Sequence, residues 1–433
     1  MTLRSAILAT LAASLAACTY PAHPPALSPV TRPAPPAVSD TVAEARAPVT
    51  ILVSIDGFRP DYLDRGVTPQ LSRLAAGGVS AAMRPSFPSK TFPNHWTLVT
   101  GMVPDRHGIT ANAMEDPARP GEPFTMASDD PFWWNVAEPL WVTAERAGIR
   151  TATMFWPGSN VAWGGTRAAA WPHEISGGTR PHDWQQYNEA VSDRQRVDAL
   201  IDWLCRPSAT RPAFLTLYFE EVDTAGHRFG PADPRTTDAV AAVDRSIGDL
   251  VAGLAALGQP ANLVIVADHG MAPTASTRTI ALDTIVPPAD ARIVEAGPYA
   301  TLQPAAGREA AVDEALGRRH AHMTCWRKEK LPARFHYGRN PRIPAFLCLA
   351  EDGWTIAKTA PTEATSGGNH GYDNDAADMR ALFIANGPAL AAGRRLPTFD
   401  NTAVAPLLRD LIGLPPGEGL DGDDRPFRAV LRR

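Results

Sequence analysis

The sequence predicts an α/β protein whose mostly parallel sheet is flanked by helices. Three apolar, partly β-branched runs predict buried strands, and acidic residues follow each of them: Val49–Ile55, Ala213–Phe219 and Asn262–Ala267. Patterns with the period of a helix occur at residues 68–76, 137–147, 193–204 and 237–257. Ligands of parallel sheets bind beyond the carboxyl ends of the strands, so we expect the functional site where these three strands end.

The composition is that of a chain with a sizeable core. Of its 433 residues, 44% are hydrophobic and 20% are charged, which excludes a disordered chain, a collagen and a disulfide-stabilised miniprotein. The 41 basic and 46 acidic residues give a formal charge of −5. This balance provides no electrostatic surface for the phosphates of a nucleic-acid polymer, so we expect no such partner.

Residues 1–18 have the features of a secretory signal peptide. The apolar run from Ala6 to Ala17 is shorter than the roughly 20 residues that a permanent membrane span needs. Cys18 follows Leu-Ala-Ala, a sequence that resembles the bacterial lipobox, in which the cysteine becomes the lipidated first residue after cleavage. The alternative is an ordinary signal peptidase site with an incidental cysteine.

Residues 19–48 are predicted to form a tether. They contain eight prolines and few large apolar side chains, a composition typical of an extended, semi-rigid spacer. Thr19 is not acidic, whereas an acidic residue after the cysteine would favour the inner membrane in Gram-negative bacteria. The sequence therefore predicts an exported lipoprotein on the periplasmic face of the cell envelope, held at the outer membrane by its N-terminal lipid. It makes no prediction of the oligomeric state.

Three cysteines remain in the exported body of the chain, where an oxidising compartment permits disulfides. Cys325 and Cys348 are the expected pair, because they flank a single Arg-rich segment. Cys205 follows an amphipathic stretch and is expected to be a buried thiol.

Carboxylates and imidazoles are concentrated after the predicted strands and in one Gly/Asn-rich loop. The set comprises Asp56, Asp223, His227, Asp268, His269 and His370. A single Asp after a strand is commonly a turn residue or a helix cap. Three such positions with neighbouring histidines instead favour divalent metal ions such as Zn²⁺ or Mn²⁺. The six side chains are enough to hold two catalytic ions.

Thr91 lies where a helix is predicted to begin, shortly before Pro93. A hydroxyl at this place can cap the helix. It would also face unpaired backbone N–H groups and the positive end of the helix dipole, which attract phosphate. A Thr hydroxyl is a poor nucleophile unless a base or a metal lowers its pKa. Because the predicted ligands supply such a metal, Thr91 is a candidate nucleophile.

Ordered motifs make the chain resemble the nucleotide pyrophosphatase/phosphodiesterase family of the alkaline phosphatase superfamily. They are Ser54–Arg59, Lys90–His95, Thr100–Gly108, Phe155–Ser159, Glu220–His227, Ala267–Met271 and Asn369–Asn374. The resemblance runs from about residue 49 to the C-terminus. It implies an alkaline-phosphatase-like catalytic domain over residues 49–433, with a smaller inserted region at 280–365.

The resemblance also implies roles for individual residues. One Zn²⁺ would be held by Asp56, Thr91, Asp268 and His269, and the other by Asp223, His227 and His370. Thr91 would attack phosphorus and form a covalent phosphothreonine, while Asn112 would donate to a phosphoryl oxygen. Mn²⁺ is the alternative metal.

A diester substrate is favoured over a monoester. Monoesterases of this superfamily place an Arg close to the nucleophile, whereas Phe92 follows Thr91 here. Phe92 resembles the family position that packs against a nucleoside, and Tyr187 resembles the one that stacks on the base. Trp133 and Trp134 are further candidates for the wall of the cleft.

The expected activity is hydrolysis of nucleotide phosphodiester or phosphoanhydride bonds, which releases nucleoside 5′-monophosphates. A small-molecule nucleotide is thus the expected partner. One alternative keeps the metals but acts on lysophospholipids or other phosphodiesters. A non-enzymatic alternative is a surface lipoprotein that binds nucleotides without hydrolysing them.

Overall fold

The structure, a computed structural model, describes residues 45–432. The predicted signal peptide, with Cys18, and most of the predicted tether lie outside these residues. In chain order the strands are β1 (Val49–Ile55), β2 (Val79–Arg84), β3 (Thr151–Met154), β4 (Thr166–Arg167), β5 (Ile175–Ser176), β6 (Asp183–Gln185), β7 (Phe214–Phe219), β8 (Ala261–Val266), β9 (Ala272–Ala275), β10 (Thr279–Ala281), β11 (Ala291–Glu295), β12 (Tyr299–Pro304), β13 (Met323–Arg327), β14 (Phe346–Ala350), β15 (Thr355–Ala357), β16 (Ser366–Asn369), β17 (Ala381–Asn386), β18 (Arg394–Arg395) and β19 (Phe399–Asp400).

The helices follow the same order along the chain. They are α1 (Pro69–Gly77), α2 (Thr91–Thr100), α3 (Pro104–His107), α4 (Pro131–Trp134), α5 (Leu140–Arg146), α6 (Asp193–Cys205), α7 (Glu221–Phe229), α8 (Pro234–Ala256), α9 (Glu309–Gly317) and α10 (Val404–Leu411). Short 3-10 helices span Pro60–Arg65, Ser276–Arg278, Leu282–Thr284, Lys328–Lys330, Ala333–Phe335, Ala377–Met379 and Asn401–Ala403.

A mixed sheet with five adjacent parallel strands forms the centre of the fold. Its order is β18-β2-β17-β8-β1-β7-β3-β6, and β19 also pairs with β2. Strands β8, β1, β7, β3 and β6 are parallel to one another. Ser54 of β1 lies in register with Val266 of β8 and with Tyr218 of β7. The three strands that precede acidic residues are therefore neighbours that end at one edge of the sheet, which confirms the predicted fold class.

Strand β17 departs from the parallel pattern. It pairs antiparallel with β8 on one side and with β2 on the other. Five of its six residues are buried. An apolar run of this kind is typical of a central strand, but it does not indicate whether the strand runs parallel or antiparallel to its neighbours.

Helices flank the sheet, and local capping explains where several of them begin. The four helices predicted from periodicity correspond to α1, α5, α6 and α8. Helix α6 starts with a capping box between Ser192 and Gln195. Helix α8 starts with Pro234 in its first turn, and the Asp233 side chain accepts a hydrogen bond from a backbone N–H. None of the helices between residues 45 and 432 is long and apolar enough to cross a membrane.

A second, antiparallel sheet lies within the region 280–365. Its strand order is β11-β12-β14-β13, and a separate apolar cluster packs around it. Cys325 of β13 and Cys348 of β14 lie opposite each other and form a disulfide, with the sulfur atoms 2.00 Å apart. The structure thus contains the disulfide that the sequence favours. The extent of a smaller domain at 280–365 stays a prediction.

Cys205 is exposed, so the expectation of a buried thiol is wrong. The buried residues of α6 include Val197, Leu200 and Leu204, which share one face of the helix. Cys205 is the last residue of this helix and lies off that face. The amphipathic pattern predicts the buried face of α6 up to residue 204, but that face does not extend to the cysteine.

Candidate active site

The ends of β1, β7 and β8 bring three acidic residues together. Asp56 follows β1, Asp268 follows β8, and Asp223 lies in the first turn of α7, which begins just after β7. Gly57 joins them, because its N–H donates to Asp268 Oδ1 at 3.2 Å. Its φ is 67°, and a Cβ at this position would lie 3.1 Å from the Cα of Asp223. Only glycine permits this turn so close to α7.

His370 directly follows β16, a strand that is remote in sequence from the other site residues. Strand β16 pairs antiparallel with β9, with Asn369 opposite Ala272. Since β9 begins shortly after His269, this pairing places His370 beside His269. The two rings stack with centroids 3.5 Å apart and planes 15° apart.

Asp56, Asp268 and His269 form one group that could hold a metal ion. All three side chains are buried. His269 Nε2 lies 2.8 Å from Asp268 Oδ2 and 3.5 Å from Asp56 Oδ1. Thr91 Oγ1 lies 3.3 Å from the same nitrogen. The structure therefore brings together the four residues that were expected to bind the first ion.

Asp223, His227 and His370, expected to bind the second ion, also lie together. His227 Nε2 is 3.4 Å from Asp223 Oδ2 and 3.0 Å from His370 Nε2. His370 Nε2 is 3.6 Å from Asp223 Oδ1. Asp223 and His227 share a face of α7, because four residues are about one helical turn. The second group of described residues that could hold a metal ion contains Asp223, His370 and His269 rather than His227, so His269 lies between the two predicted sets.

Backbone carbonyls fix the orientation of the three imidazoles. Each Nδ1 lies 2.9–3.0 Å from a carbonyl oxygen: His227 from Gly368, His269 from Gly270 and His370 from Ser89. A neutral imidazole that donates from Nδ1 carries its lone pair on Nε2. The Nε2 lone pairs of His227 and His370 thus converge across 3.0 Å, an arrangement that a shared cation stabilises.

Within the described residues, three buried carboxylate oxygens of these groups have no hydrogen-bond partner: Asp56 Oδ1, Asp223 Oδ1 and Asp268 Oδ2. Burial, and then the charges of Asp268 and Asp223, raise the pKa of Asp56 well above its usual value. Burial and the Asp223 charge likewise raise the pKa of Asp268. A divalent cation would supply the missing positive charge and restore the ionised carboxylates. These side chains fit such ions in both charge and donor type.

Thr91 is the first residue of α2, and Lys90 rather than Thr91 is its N-cap residue. The Thr91 hydroxyl is therefore directed to His269 and does not cap the helix. The positive end of the helix dipole at this point favours a phosphoryl anion. Asn112 Oδ1 accepts a hydrogen bond from the N–H of Phe92, the residue after Thr91, at 3.0 Å, so the Asn112 oxygen is occupied and its NH₂ group is the part that can donate.

A cleft of about 430 Å³ opens next to Thr91. Both residues expected to contact a nucleoside, Phe92 and Tyr187, line it, and so does Trp134. Trp133 is buried and is not among the residues that line the cleft. The Tyr187 side chain is 44% exposed, so its ring is accessible to a base.

Tyr218 is a residue of the site that the sequence pattern does not single out. Its hydroxyl donates to Asp56 Oδ2 at 2.7 Å. Burial raises the pKa of Tyr218 well above its usual value, so the phenol keeps its proton. Because Tyr218 lies in the apolar strand β7, the sequence pattern predicts only that its aromatic side chain is part of the core. The one signal in the sequence is a hydroxyl two residues before the acidic end of a strand.

The family model described as type I phosphodiesterase/nucleotide pyrophosphatase matches residues 50–373. The chain belongs to this family. This phosphodiesterase is accordingly a hydrolase of phosphodiester and phosphoanhydride bonds. Membership confirms the resemblance on which the residue roles were based.

Relatives with known names share most of the described chain. Bis(5′-adenosyl)-triphosphatase enpp4 of Xenopus laevis is 36% identical over 371 residues, which are 85% of this chain and 78% of that protein. Ectonucleotide pyrophosphatase/phosphodiesterase family member 1 of Rattus norvegicus is 36% identical over 391 residues. That match covers 86% of this chain but 42% of the longer rat protein.

Solved structures show the same fold. Human ectonucleotide pyrophosphatase/phosphodiesterase 5 has a TM-score of 0.82 and 33% identity, with 89% of this chain and 100% of that chain covered. The murine protein, solved as an inactive variant in complex with AMP, has a TM-score of 0.82 and 32% identity with the same coverage.

Proposed function

We propose that the chain hydrolyses nucleotide phosphodiester or phosphoanhydride bonds to nucleoside 5′-monophosphates, with two Zn²⁺ ions and a covalent phosphothreonine at Thr91. One observation carries the proposal. The Thr91 hydroxyl lies 3.3 Å from His269 Nε2, at the junction of two Asp/His groups and at the start of a helix.

The ligand types support zinc. Asp56, Asp268 and His269 would hold one ion with Thr91, and Asp223, His227 and His370 would hold the other. Carboxylate and imidazole donors suit Zn²⁺, and they also suit Mn²⁺. Such ions would lower the pKa of the Thr91 hydroxyl and balance the charge that develops on the leaving oxygen.

Thr91 and Asn112 then act on the substrate. Thr91 Oγ forms a bond to phosphorus while its proton passes to water, and the bond from phosphorus to the leaving oxygen breaks. The leaving group departs with the electron pair and is protonated by solvent. Asn112 donates to a phosphoryl oxygen and holds it in line. Water then cleaves the bond between Thr91 Oγ and phosphorus, which releases the monophosphate.

The cleft supports a nucleoside as the part of the substrate that is retained. Phe92 and Tyr187 are aromatic residues that line the cleft beside Thr91. Stacking on such a ring is worth about 1–3 kcal/mol per base. A triphosphatase acting on a bis-adenosyl compound is among the relatives, and AMP is bound in a related structure. Both support an adenine nucleotide as the first substrate to test.

A lysophospholipid remains the second candidate because of the charge of the cleft. Glu189 and Glu220 line it together with aromatic rings, and no Lys or Arg is among the described residues that do so, although Arg196 behind the wall forms an ion pair with Glu220. Such a lining also suits the quaternary ammonium of a choline headgroup.

Thr91→Ala is the decisive variant. Diadenosine triphosphate and lysophosphatidylcholine are offered separately to the full chain, with product identification by mass spectrometry. We expect AMP from the first substrate, an acid-stable adenylyl adduct on Thr91 in quenched samples, and loss of both in Thr91→Ala. Thr91→Ser keeps a hydroxyl and should retain turnover. Thr100→Ala, at the other end of α2, should leave catalysis intact, because its hydroxyl donates to the Trp96 carbonyl and accepts from the Met102 N–H, away from the metal-binding residues.

Each alternative has its own outcome. Release of phosphocholine without AMP would favour the lysophospholipid reading. Tight nucleotide binding without turnover, unaffected by Thr91→Ala, would favour the non-enzymatic lipoprotein. Hydrolysis without an adduct on Thr91 would refute the covalent route.

A further inference from the structure

We infer that Tyr218 is a positioning residue that fixes Asp56 for the cation shared with Asp268 and His269. The inference rests on the proposed function, since it concerns an ion bound at that site. It assigns to Tyr218 a role in metal affinity that is separate from its place in the core.

The hydroxyl of Tyr218 selects one oxygen of Asp56. It donates to Oδ2 at 2.7 Å, whereas Oδ1 of the same carboxylate is buried and has no hydrogen-bond partner. Oδ1 is also the oxygen that lies 3.5 Å from His269 Nε2. The bond therefore holds Oδ2 and leaves Oδ1 turned to the other metal ligands. Bonds of this kind to a ligating carboxylate orient it and raise metal affinity.

The sheet explains why Tyr218 can reach Asp56. Tyr218 of β7 is in register with Ser54 of β1, and Asp56 lies two residues beyond Ser54. Residues two apart share a face of a strand, so Tyr218 and Asp56 are diagonal neighbours on the same side. The long phenol side chain spans this diagonal, which a shorter hydroxyl residue would not do.

Ring contacts keep the phenol in place. The Tyr218 ring is buried and lies edge-on to His95 at 5.2 Å and to Tyr187 at 6.0 Å, measured between centroids. These contacts involve the ring and not the hydroxyl. Tyr218→Phe therefore keeps the packing and the wall of the cleft while it removes the bond to Asp56.

The test is a zinc titration of the chelator-treated full chain in competition with a chromogenic chelator. We expect two Zn²⁺ ions in the unaltered protein. In Tyr218→Phe, one of the two should bind roughly 10- to 100-fold more weakly, the range found when an outer partner of a metal ligand is lost. The other ion, held by Asp223, His227 and His370, should bind as before. Activity at limiting zinc should fall and should recover in excess zinc.

Tyr337→Phe is the matched control. This buried Tyr donates to the backbone carbonyl of Thr110 at 2.9 Å and contacts none of the metal-binding residues. Tyr337→Phe should lower the thermal stability about as much as Tyr218→Phe does, but it should leave the affinity for both zinc ions unchanged. The inference is overturned if Tyr218→Phe binds both ions as tightly as the unaltered chain, or if both affinities fall equally.

The outcomes separate this inference from the proposed function. An unaltered chain that binds no zinc contradicts the two-metal site itself. An unaltered chain that binds two ions, with Tyr218→Phe indistinguishable from it, contradicts only the role of Tyr218.

Discussion

Replacing Gly57 by Ala should damage the site through sterics alone. Gly57 has a φ of 67°, and a Cβ there would lie 3.1 Å from the Cα, Cβ and Oδ1 of Asp223. Gly66 offers a matched control, because its φ is 75° and a Cβ there would meet no atom within 4 Å. The two substitutions introduce the same atom and similar backbone strain, but only one of them crowds a metal ligand.

The magnitudes follow from these contacts. An L-residue in the left-handed region costs about 1–2 kcal/mol, which is the whole expected loss for Gly66→Ala. Gly57→Ala adds a contact with the backbone of α7, which cannot rotate away as a flexible side chain would. Overpacking of this kind costs a further 1–3 kcal/mol or so. A shift of Asp223 by about 1 Å would also lower kcat/KM by roughly 100-fold.

Urea denaturation of the chelator-treated proteins measures the free energy of unfolding without a contribution from bound metal. Steady-state hydrolysis of bis-p-nitrophenyl phosphate in excess zinc measures the effect on the site. Gly66→Ala should keep nearly full activity. If the two variants lose equal stability and Gly57→Ala keeps its activity, Gly57 does not control the placement of Asp223 and the reasoning is refuted.

Further predictions concern the metals, the cleft and the anchor. Chelation should abolish hydrolysis of bis-p-nitrophenyl phosphate and added zinc should restore it; activity indifferent to chelation would contradict a two-metal site. Tyr187→Ala should raise the KM for diadenosine triphosphate by roughly 5- to 150-fold, the equivalent of about 1–3 kcal/mol of stacking. The same variant should hydrolyse bis-p-nitrophenyl phosphate almost normally, and equal losses on both substrates would argue against stacking. We also propose that Cys18 carries a lipid anchor, so Cys18→Ser should yield a soluble periplasmic or secreted protein, as cell fractionation would show; a variant that stays with membranes would rule the anchor out.

The sequence was most informative where function depends on local chemistry. The strand Val49–Ile55 has the predicted bounds. It is apolar inside the sheet, and an acidic residue, Asp56, follows where the chain leaves the sheet. Asp223 and His227 are four residues apart, so their common helical face follows from the period of the helix. Such features need no knowledge of distant contacts.

Other features depend on residues far apart in the chain, and the sequence alone did not specify them. The stacking of His269 on His370 depends on the pairing of β9 with β16, which no local pattern encodes. The antiparallel direction of β17 likewise depends on its neighbours β2 and β8. Tyr218 lies in a predicted buried strand, where its ring is core; its hydroxyl acquires a partner only because β1 and β7 lie side by side.

The ribbon of β9 and β16 also bears on how this scaffold can change over time. Ala275 pairs with Ser366, and the Ser276 N–H donates to the Thr365 carbonyl at 2.8 Å, so the long excursion between them leaves and returns at one point. A segment with its ends fastened together can be lengthened, trimmed or exchanged without displacing what lies outside the fastening. His269 and His370 both lie outside it. Descendants of this protein could therefore vary those parts of the excursion that do not contact the rest of the fold, whereas Tyr337 and Arg342, which bond the Thr110 carbonyl and Asp116, tie other parts of it to the segment that carries Asn112.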